Sequence, residues 1–310
     1  MASTVFHKVL VPVDGSELGD KILDQVRRIL LREDATVLLL RVIPPHAGEN
    51  ARQEQERLDA ALAHVERLRN RLAEQGVDAR SLVLRGDPAE VILHCAKAQK
   101  PALVAMATHG RSGPSRWVRG SVAERVLRGC PAPLLLANPR ALEDEARAEL
   151  RFKRVLVPLD GSTQAESILP TAIGLARLYG AEVELLRVGW LAPAAMDYPV
   201  HAAIPPVTPE ELELTLEGAR ARVAAAGVPV KLQVAFGFEA DEILAAAERV
   251  PGTLLAMTTH GRTGLDRWLF GSVAEKVLRA ATCPILVQRV AAFTAESERV
   301  AAPEEAALAE

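Results

Sequence analysis

Residues 108–128 read THGRSGPSRWVRGSVAERVLR, and residues 259–279 read THGRTGLDRWLFGSVAEKVLR. The two segments are identical at 15 of 21 positions, at a constant offset of 151 residues. A second echo lies upstream, where HKVLVPVDGS at 7–16 is matched by KRVLVPLDGS at 153–162. Both ends of a unit of about 150 residues therefore recur, and the sequence predicts a tandem duplication.

The composition sets the class of protein. A length of 310 residues with 49% apolar content is sufficient for two domains of about 150 residues, each with its own core. The net charge of −3 gives no basic field for a phosphate backbone, which disfavours nucleic acid as a partner. No apolar stretch reaches the roughly 18 residues of a membrane span, and the N-terminus lacks the apolar segment of a signal peptide. We therefore expect a cytoplasmic protein with no membrane partner.

The cysteines carry no pattern of their own. Cys95, Cys130 and Cys283 do not occupy matching positions in the two repeats, and their number is odd. A shared zinc or disulfide site is disfavoured for that reason. We expect all three to be buried small apolar residues.

Short apolar runs alternate with amphipathic helical segments in both repeats. This alternation indicates a parallel sheet covered by helices on both faces. The simplest right-handed arrangement is a doubly wound, five-stranded parallel sheet of order 3-2-1-4-5 in each repeat. The predicted strands are Val9–Val13, Thr36–Ile43, Arg80–Leu84, Leu103–Ala107 and Pro133–Ala137, then Val155–Leu159, Glu182–Val188, Val230–Val234, Leu254–Met257 and Ile285–Gln288.

The domain boundaries follow from the repeat. We predict a first domain over residues 1–138, a linker over 139–151, a second domain over 152–290 and a flexible tail over 291–310. The segment from Pro193 to Pro209 holds five prolines and lacks a helical counterpart of equal length in the first repeat. It is predicted to be either a lid over the second site or an interface loop.

The loop after the fourth strand is the candidate binding element. Strands 1 and 4 are neighbours in the predicted order, at the switch point where ligands of open α/β sheets bind. Gly110 and Gly120 lie around this loop, and Ser121 opens the next helix. Such a loop can offer backbone N–H groups and a helix N-terminus to an anion. Two other phosphate loops are excluded, since neither G-x-x-x-x-G-K-[ST] nor G-x-G-x-x-G occurs in the chain.

The same serines have an alternative explanation. Ser121 with Glu124, and Ser272 with Glu275, have the spacing of a capping box, in which the serine serves only its own helix. A serine that caps its own helix would have no role in binding a ligand. The loop taken alone leaves both interpretations open.

Asp14 and Asp160 end the first strand of each repeat and would face the loop across the switch point. A carboxylate there can accept hydrogen bonds from ribose hydroxyls or approach a phosphate-bound metal ion. Its alternative role is to fix the Asp-Gly turn before a helix. His109 and His260 are candidate general bases, but no Ser-His-Asp or Cys-His set recurs in both halves. The pattern favours binding over catalysis.

The strand end V-P-V/L-D-G-S and the loop with G-x9-G-S, present in both repeats, resemble the universal stress protein family in its tandem two-domain form. The resemblance covers nearly all of residues 5–138 and 152–290. It implies two tandem flavodoxin-like domains, dimerisation through the last strand or across the tandem domains, and ATP at the switch point.

The resemblance also implies which residues hold the nucleotide in two equivalent sites. The proline and aspartate of the first strand would lie by the nucleoside, the valine at the end of the second strand would contact adenine through its backbone, and the loop would hold the phosphates. The predicted residues are Pro12, Asp14, Val42, Ala107, His109, Gly110, Arg111, Gly120, Ser121 and Val122 in the first site, and Pro158, Asp160, Val188, Thr258, His260, Gly261, Arg262, Gly271, Ser272 and Val273 in the second.

The chain departs from the family loop at one position. The family's first glycine is Ala107 in the first repeat and Thr258 in the second. Alanine adds only a methyl group, whereas a β-branched threonine restricts the backbone and crowds the ribose. We therefore predict that the first site binds ATP more tightly than the second.

Taken together, the residues predict a cytoplasmic ATP-binding protein of stress response or signalling, which binds ATP with or without Mg²⁺ and is at most a weak ATPase. The alternatives are a slow Mg-dependent ATP hydrolase, with His109 or His260 activating water, and an interaction module without a ligand. The apolar last strands, Leu134–Ala137 and Ile285–Val287, would be exposed sheet edges. We therefore expect a homodimer or intramolecular pairing of the two domains.

Overall fold

The computed structural model describes residues 6–30, 35–108, 122–143, 151–189, 207–259 and 271–289. In the first half, buried apolar strands alternate with helices along the chain. The elements are β1 (Lys8–Val13), α1 (Glu17–Asp20), α2 (Ile22–Ile29), β2 (Thr36–Ile43), α3 (Ala51–Glu74), β3 (Asp78–Arg85), α4 (Pro88–Gln99), β4 (Leu103–Ala107), α5 (Val122–Gly129) and β5 (Leu134–Ala137).

The second half repeats this order after a short helix, α6, which occupies the first part of the predicted linker. The further elements are α6 (Pro139–Glu143), β6 (Arg154–Pro158), α7 (Thr163–Glu166), α8 (Leu169–Tyr179), β7 (Glu182–Gly189), α9 (Pro209–Leu214), α10 (Glu217–Ala225), β8 (Val230–Phe236), α11 (Glu239–Arg249), β9 (Thr253–Thr259), α12 (Ser272–Ala280) and β10 (Ile285–Arg289).

All the strands described join one sheet of order β3-β2-β1-β4-β5-β10-β9-β6-β7-β8. Within each half the paired strands are parallel, and helices flank the sheet. The predicted fold class, two tandem doubly wound α/β units, is confirmed. Its consequence for function is that β1 lies next to β4, and β6 next to β9, so the carboxyl ends of these strands meet in each half.

The two halves meet at an antiparallel pair of last strands. Leu135 of β5 pairs with Leu286 of β10, flanked by the pairs Ile285–Leu136 and Val287–Leu134. Leu135 and Leu286 are equivalent under the 151-residue offset, so a local two-fold axis passes between them. The pairing is intramolecular, and it covers the two apolar edges that the sequence left exposed.

Both faces of the sheet are packed, and each apolar core continues across the antiparallel pair of β5 and β10, which is the seam between the two halves. On one face Val11 and Val157 belong to a single buried cluster. On the other face Leu10 and Leu156 share the second cluster. The alternation follows the two-residue period of a strand, because successive side chains point to opposite faces. Leu142 of α6 is also buried in the first cluster, so the start of the predicted linker packs as part of the core.

One buried ion pair distinguishes the second half. Arg154 is 2% exposed and its guanidinium donates to Glu184 Oε2 at 2.8 Å, to Thr253 Oγ1 and to the Ala246 carbonyl. The predicted strand Val155–Leu159 was wrong at both ends, because β6 begins at Arg154 and ends at Pro158. A charged residue can begin this buried strand because each side of its guanidinium meets an acceptor.

The helix α3 is long but strongly amphipathic. Asn50 and Gln53 form a reciprocal capping box at its start, and Val65, Leu68 and Leu72 face the core. No helix in the described ranges is long and apolar enough to cross a membrane.

Candidate functional site

The predicted site lies where two central strands end. In the first half β1 pairs with β4 through Leu10 and Val104, and Asp14 follows the end of β1 directly. In the second half β6 pairs with β9 through Leu156 and Leu255. The switch point predicted from the sequence therefore exists in both halves, with the strand-end residues on adjoining strands.

Asp14 organises the turn that leaves β1. Its Oδ1 accepts hydrogen bonds from Ser16 N at 3.0 Å and Ser16 Oγ at 2.6 Å. Ser16 Oγ in turn accepts from Gly19 N at 3.0 Å and caps α1. Gly15 has φ +80°, a conformation that favours glycine, so the Asp-Gly-Ser sequence is required for this turn.

The second half builds the same turn. Asp160 Oδ1 accepts from Ser162 N at 2.9 Å and from Ser162 Oγ at 2.5 Å, and Ser162 Oγ caps α7 through Ala165 N. Gly161 has φ +82°. The turn-fixing role predicted as the alternative for these aspartates is thus present. It uses Oδ1 of each carboxylate and holds each carboxylate at the carboxyl edge of the sheet.

A pair of arginines at this edge was missed by the sequence analysis. Arg41 of β2 donates from Nη1 to the Val13 carbonyl at 3.2 Å, and Arg187 of β7 donates to the Leu159 carbonyl at 3.3 Å. The Arg41 guanidinium lies against Gly15, where an added Cβ would come within 3.0 Å of Nη2. The signal was available in the Leu-Arg-Val sequence that recurs in the second strand of each repeat, at residues 40–42 and 186–188.

Val42 and Val188, the valines predicted to contact adenine, directly follow these two arginines in the sequence. Val42 is 8% exposed and packs in the cluster on the opposite face from Val11, as alternation requires. Val188 is half-buried against the same cluster. Both therefore present their backbone at the end of a strand while their side chains pack beneath, and Pro12 and Pro158 lie half-buried on the adjoining first strands.

The start of α12 bears directly on the capping alternative. Gly271 is the N-cap residue and has no side chain with which to cap the helix, and Ser272 is already the first helical residue. The Ser272–Glu275 capping box was therefore wrong, because Ser272 lies one position too late to cap and Glu275 instead accepts from Arg279 at 2.5 Å. Both Gly271 and Ser272 are exposed, and a Cβ added to Gly271 would meet no atom of the described residues within 4 Å.

The two departures from the glycine loop occupy strand ends. Ala107 ends β4, half-buried and paired with Ala137. Thr258 is 8% exposed within β9 and pairs with Gln288 of β10. The β-branched Thr258 therefore lies within a strand that is longer than the predicted strand Leu254–Met257.

Several predicted residues lie outside the described ranges. Val122 and Val273 are described, each in the first turn of a helix and half-buried. The proline-rich segment up to residue 206 and the tail also fall outside. The predicted site residues that lie outside the described ranges are His109, Gly110, Arg111, Gly120, Ser121, His260, Gly261 and Arg262.

The cysteines are buried free thiols, as predicted. Burial raises the pKa of the Cys95 and Cys130 thiols, which keeps them protonated and unreactive near neutral pH. Within the part of the chain that the structure describes, no cluster of three or more His, Cys, Asp or Glu side chains could hold a metal ion.

Comparisons with known proteins agree with this architecture. The model of the Universal stress protein family matches residues 6–138 and again 151–289. A universal stress protein of Methanocaldococcus jannaschii is 33% identical over 44% of this chain and 81% of its own length. One from Mycolicibacterium smegmatis is 26% identical over 93% of this chain and 98% of its own. Among solved structures, a universal stress protein from Archaeoglobus fulgidus has a TM-score of 0.71 at 21% identity, covering 93% of this chain and 98% of that one.

Proposed function

The chain belongs to the universal stress protein family, and from this premise we propose that it binds ATP at the carboxyl edge of the sheet in both halves, without efficient turnover. The sites are the two strand-end clusters around Asp14 and Asp160. Binding would alter the choice of protein partner in a cytoplasmic stress or signalling response.

The uncapped start of α12 is the observation that carries this proposal. The first N–H groups of a helix have no intrahelical acceptor, and the N-terminus carries about half a positive charge. At α12 the N-cap residue is a glycine, which has no side chain to meet that need, and no atom of the described residues lies within 4 Å of a Cβ added to Gly271. An anionic phosphate fits both the charge and the room. Ser272, which the helix does not use as a cap, adds a hydroxyl donor.

The expected affinity follows from the number of donors. Hydrogen bonds to charged groups contribute roughly 1.5–3 kcal/mol each. About four such bonds could therefore approach the ~8 kcal/mol of micromolar binding after ordering costs. Arg41 and Arg187 add positive charge at the same edge.

The rest of the nucleotide has matching groups. Asp14 and Asp160 are held by their turns at the strand ends, where a carboxylate can accept from ribose hydroxyls. Val42 and Val188 offer backbone groups for adenine. Mg²⁺, where present, would neutralise phosphate charge, and the two aspartates are the carboxylates placed to approach it.

Slow turnover is proposed from the same geometry. Oδ1 of each aspartate is engaged by the serine of its own turn, and such a carboxylate is a poor base for activating water. The position of Ser272 inside the first turn of α12, and not at its N-cap, also argues against a ligand-free interaction module, since that alternative required the serine to serve its own helix.

The test is direct. The purified protein is denatured and the released small molecules are identified by mass spectrometry and absorbance, followed by calorimetric titration with ATP and Mg²⁺. Adenine nucleotide in the extract, or binding heat, supports the proposal. An empty extract without heat on titration would overturn it in favour of the interaction module. Phosphate release that falls in His109→Ala while binding persists would favour the hydrolase.

A further inference from the structure

Asn138 reaches from the first half to the site helix of the second. It follows β5 and is 2% exposed. Its Nδ2 donates to the carbonyls of Leu278, Arg279 and Ala281 at 3.2, 3.2 and 2.8 Å. These carbonyls end α12, the helix whose other end is Gly271 and Ser272. The Asn138 side chain also accepts from Ala141 N through Oδ1 at 3.1 Å and so caps α6.

Arg289 makes the reciprocal contact. It ends β10, and its Nη1 donates to the Arg128 carbonyl at 2.8 Å, in the last turn of α5. The helix α5 begins at Val122, directly after the glycine loop of the first site. Positions 138 and 289 are equivalent under the 151-residue offset. In both halves, therefore, the end of the last strand holds the far end of the opposite site helix.

The physical basis is the polarity of a helix. The last carbonyls of a helix lack intrahelical partners and carry partial negative charge, so a donor placed there fixes the helix end. A helix of nine residues is a rod of about 13.5 Å, and a shift at one end moves the other. Asn138 provides buried bonds, whereas Arg289 is exposed and its single bond is weakened by water. The Asn138 contact is the stronger of the two.

We propose that Asn138 and Arg289 are positioning residues for the nucleotide site of the opposite half. Asn138 sets the place of α12, and with it the Gly271 and Ser272 groups that receive phosphate in the second site. Arg289 does the same for α5 and the first site. The inference rests on the proposed ATP binding, and it makes the seam between the halves part of each site.

The decisive variant is Asn138→Asp. It keeps an oxygen to cap α6 but removes the Nδ2 donor and sets a negative charge against the carbonyls of α12. ATP affinity is measured by calorimetry at the second site alone, in a Gly120→Val background, and at the first site alone, in a Gly271→Val background. We expect the second site to weaken about tenfold, since the lost hydrogen bonds are buried and bonds of this kind each change an equilibrium severalfold. The first site should keep its affinity.

The reciprocal variant is Arg289→Met, with Arg140→Met as a matched loss of an exposed arginine. Arg289→Met should weaken the first site about threefold, for a single exposed bond, and leave the second unchanged. This variant keeps the proposal testable if Asn138→Asp does not fold, because it removes a surface contact only.

Three outcomes separate the possibilities. A loss confined to the opposite site supports the positioning role. Equal losses at both sites, or none, would overturn it and leave the two residues as seam contacts, while ATP binding itself stands. A parent chain that binds no ATP at either site would overturn the proposed function and this inference together.

Discussion

Asp87 and Phe238 hold the same N-cap position at the start of equivalent helices, but only Asp87 caps its helix. Asp87 Oδ1 accepts from Glu90 N at 3.0 Å at the start of α4. Phe238 makes no side-chain bond at the start of α11 and is 74% exposed. The duplication has therefore kept these two helices, while the residue at this N-cap position has diverged.

Restoring the cap should stabilise the second half. Phe238→Asn gives α11 a side-chain acceptor for its first turn without adding to the charge of Glu239, Asp241 and Glu242. We expect a gain of about 1 kcal/mol in the free energy of unfolding. Urea denaturation measures it, with Phe238→Ala as the control that removes the exposed ring without supplying a cap. A Phe238→Asn protein no more stable than the alanine control would contradict the capping argument.

Asp87 should make stability sensitive to acid. The Arg125 guanidinium, and then the Glu90 N–H, hold the pKa of the Asp87 carboxyl below its ordinary value. A depressed folded pKa gives stability that is present above the unfolded value near 4 and is lost as pH falls through the folded pKa. Asp87→Asn keeps an acceptor for the cap but loses this charge.

The Asp87→Asn protein should therefore be slightly less stable than the parent at pH 7, and the difference should shrink as pH falls below about 4. The effect is small because both partners are about two-fifths exposed. Urea unfolding at the two pH values and at low salt measures it. A difference that persists unchanged at pH 3 would show that the charge of Asp87 is not involved.

The buried pair Arg154–Glu184 should respond differently to single and double substitution. Glu184→Ala leaves a buried guanidinium without its carboxylate and should lower the free energy of unfolding by about 3–5 kcal/mol. Arg154→Met with Glu184→Leu removes both charges at similar volume and should be close to neutral. Denaturant unfolding of both proteins tests the pair. A double variant as unstable as the single one would mean that packing, and not the unpaired charge, sets the loss.

The strand-end residues Ala107 and Thr258 should determine which of the two sites binds ATP more tightly. Because Thr258 is β-branched and buried at the end of its strand, the second site is expected to bind ATP less tightly than the first. Thr258→Ala should narrow the difference, and Ala107→Thr should weaken the first site severalfold. Calorimetric titration of the Gly120→Val and Gly271→Val variants with ATP shows which site gives the tighter binding phase. Loss of the tighter phase in Gly271→Val alone would reverse the ranking.

The fold was predictable because its signals are local and repeated. Continuous apolar runs such as Thr36–Ile43 identify the buried strands, and the Asp-Gly-Ser turns mark where the first strand of each half ends. The sequence predicted only that the apolar last strands must be covered, and it did not predict how they pair. Which edge would cover them depends on pairing between Leu135 and Leu286, far apart in sequence.

The features that escaped prediction depend on three-dimensional context. Arg154 reads as a polar flank of a strand, and only the acceptors of Glu184, Thr253 and Ala246 explain its burial. Ser272 fits a capping box by spacing, but the backbone begins the helix one residue earlier than a cap requires. Asn138 meets α12 across about 140 residues of chain, a contact that no local pattern records.

The most direct test of two ATP sites is calorimetric stoichiometry of the parent chain and of Gly271→Val, with Mg²⁺ present. Gly271 has φ −60° and ψ 146°, which valine adopts readily, and within the described ranges an added Cβ there meets no atom within 4 Å. The variant should therefore fold and obstruct only the start of α12. We predict two ATP molecules bound by each parent chain and one by each Gly271→Val chain. Equal stoichiometry in the two proteins, or no binding by the parent, would contradict the account.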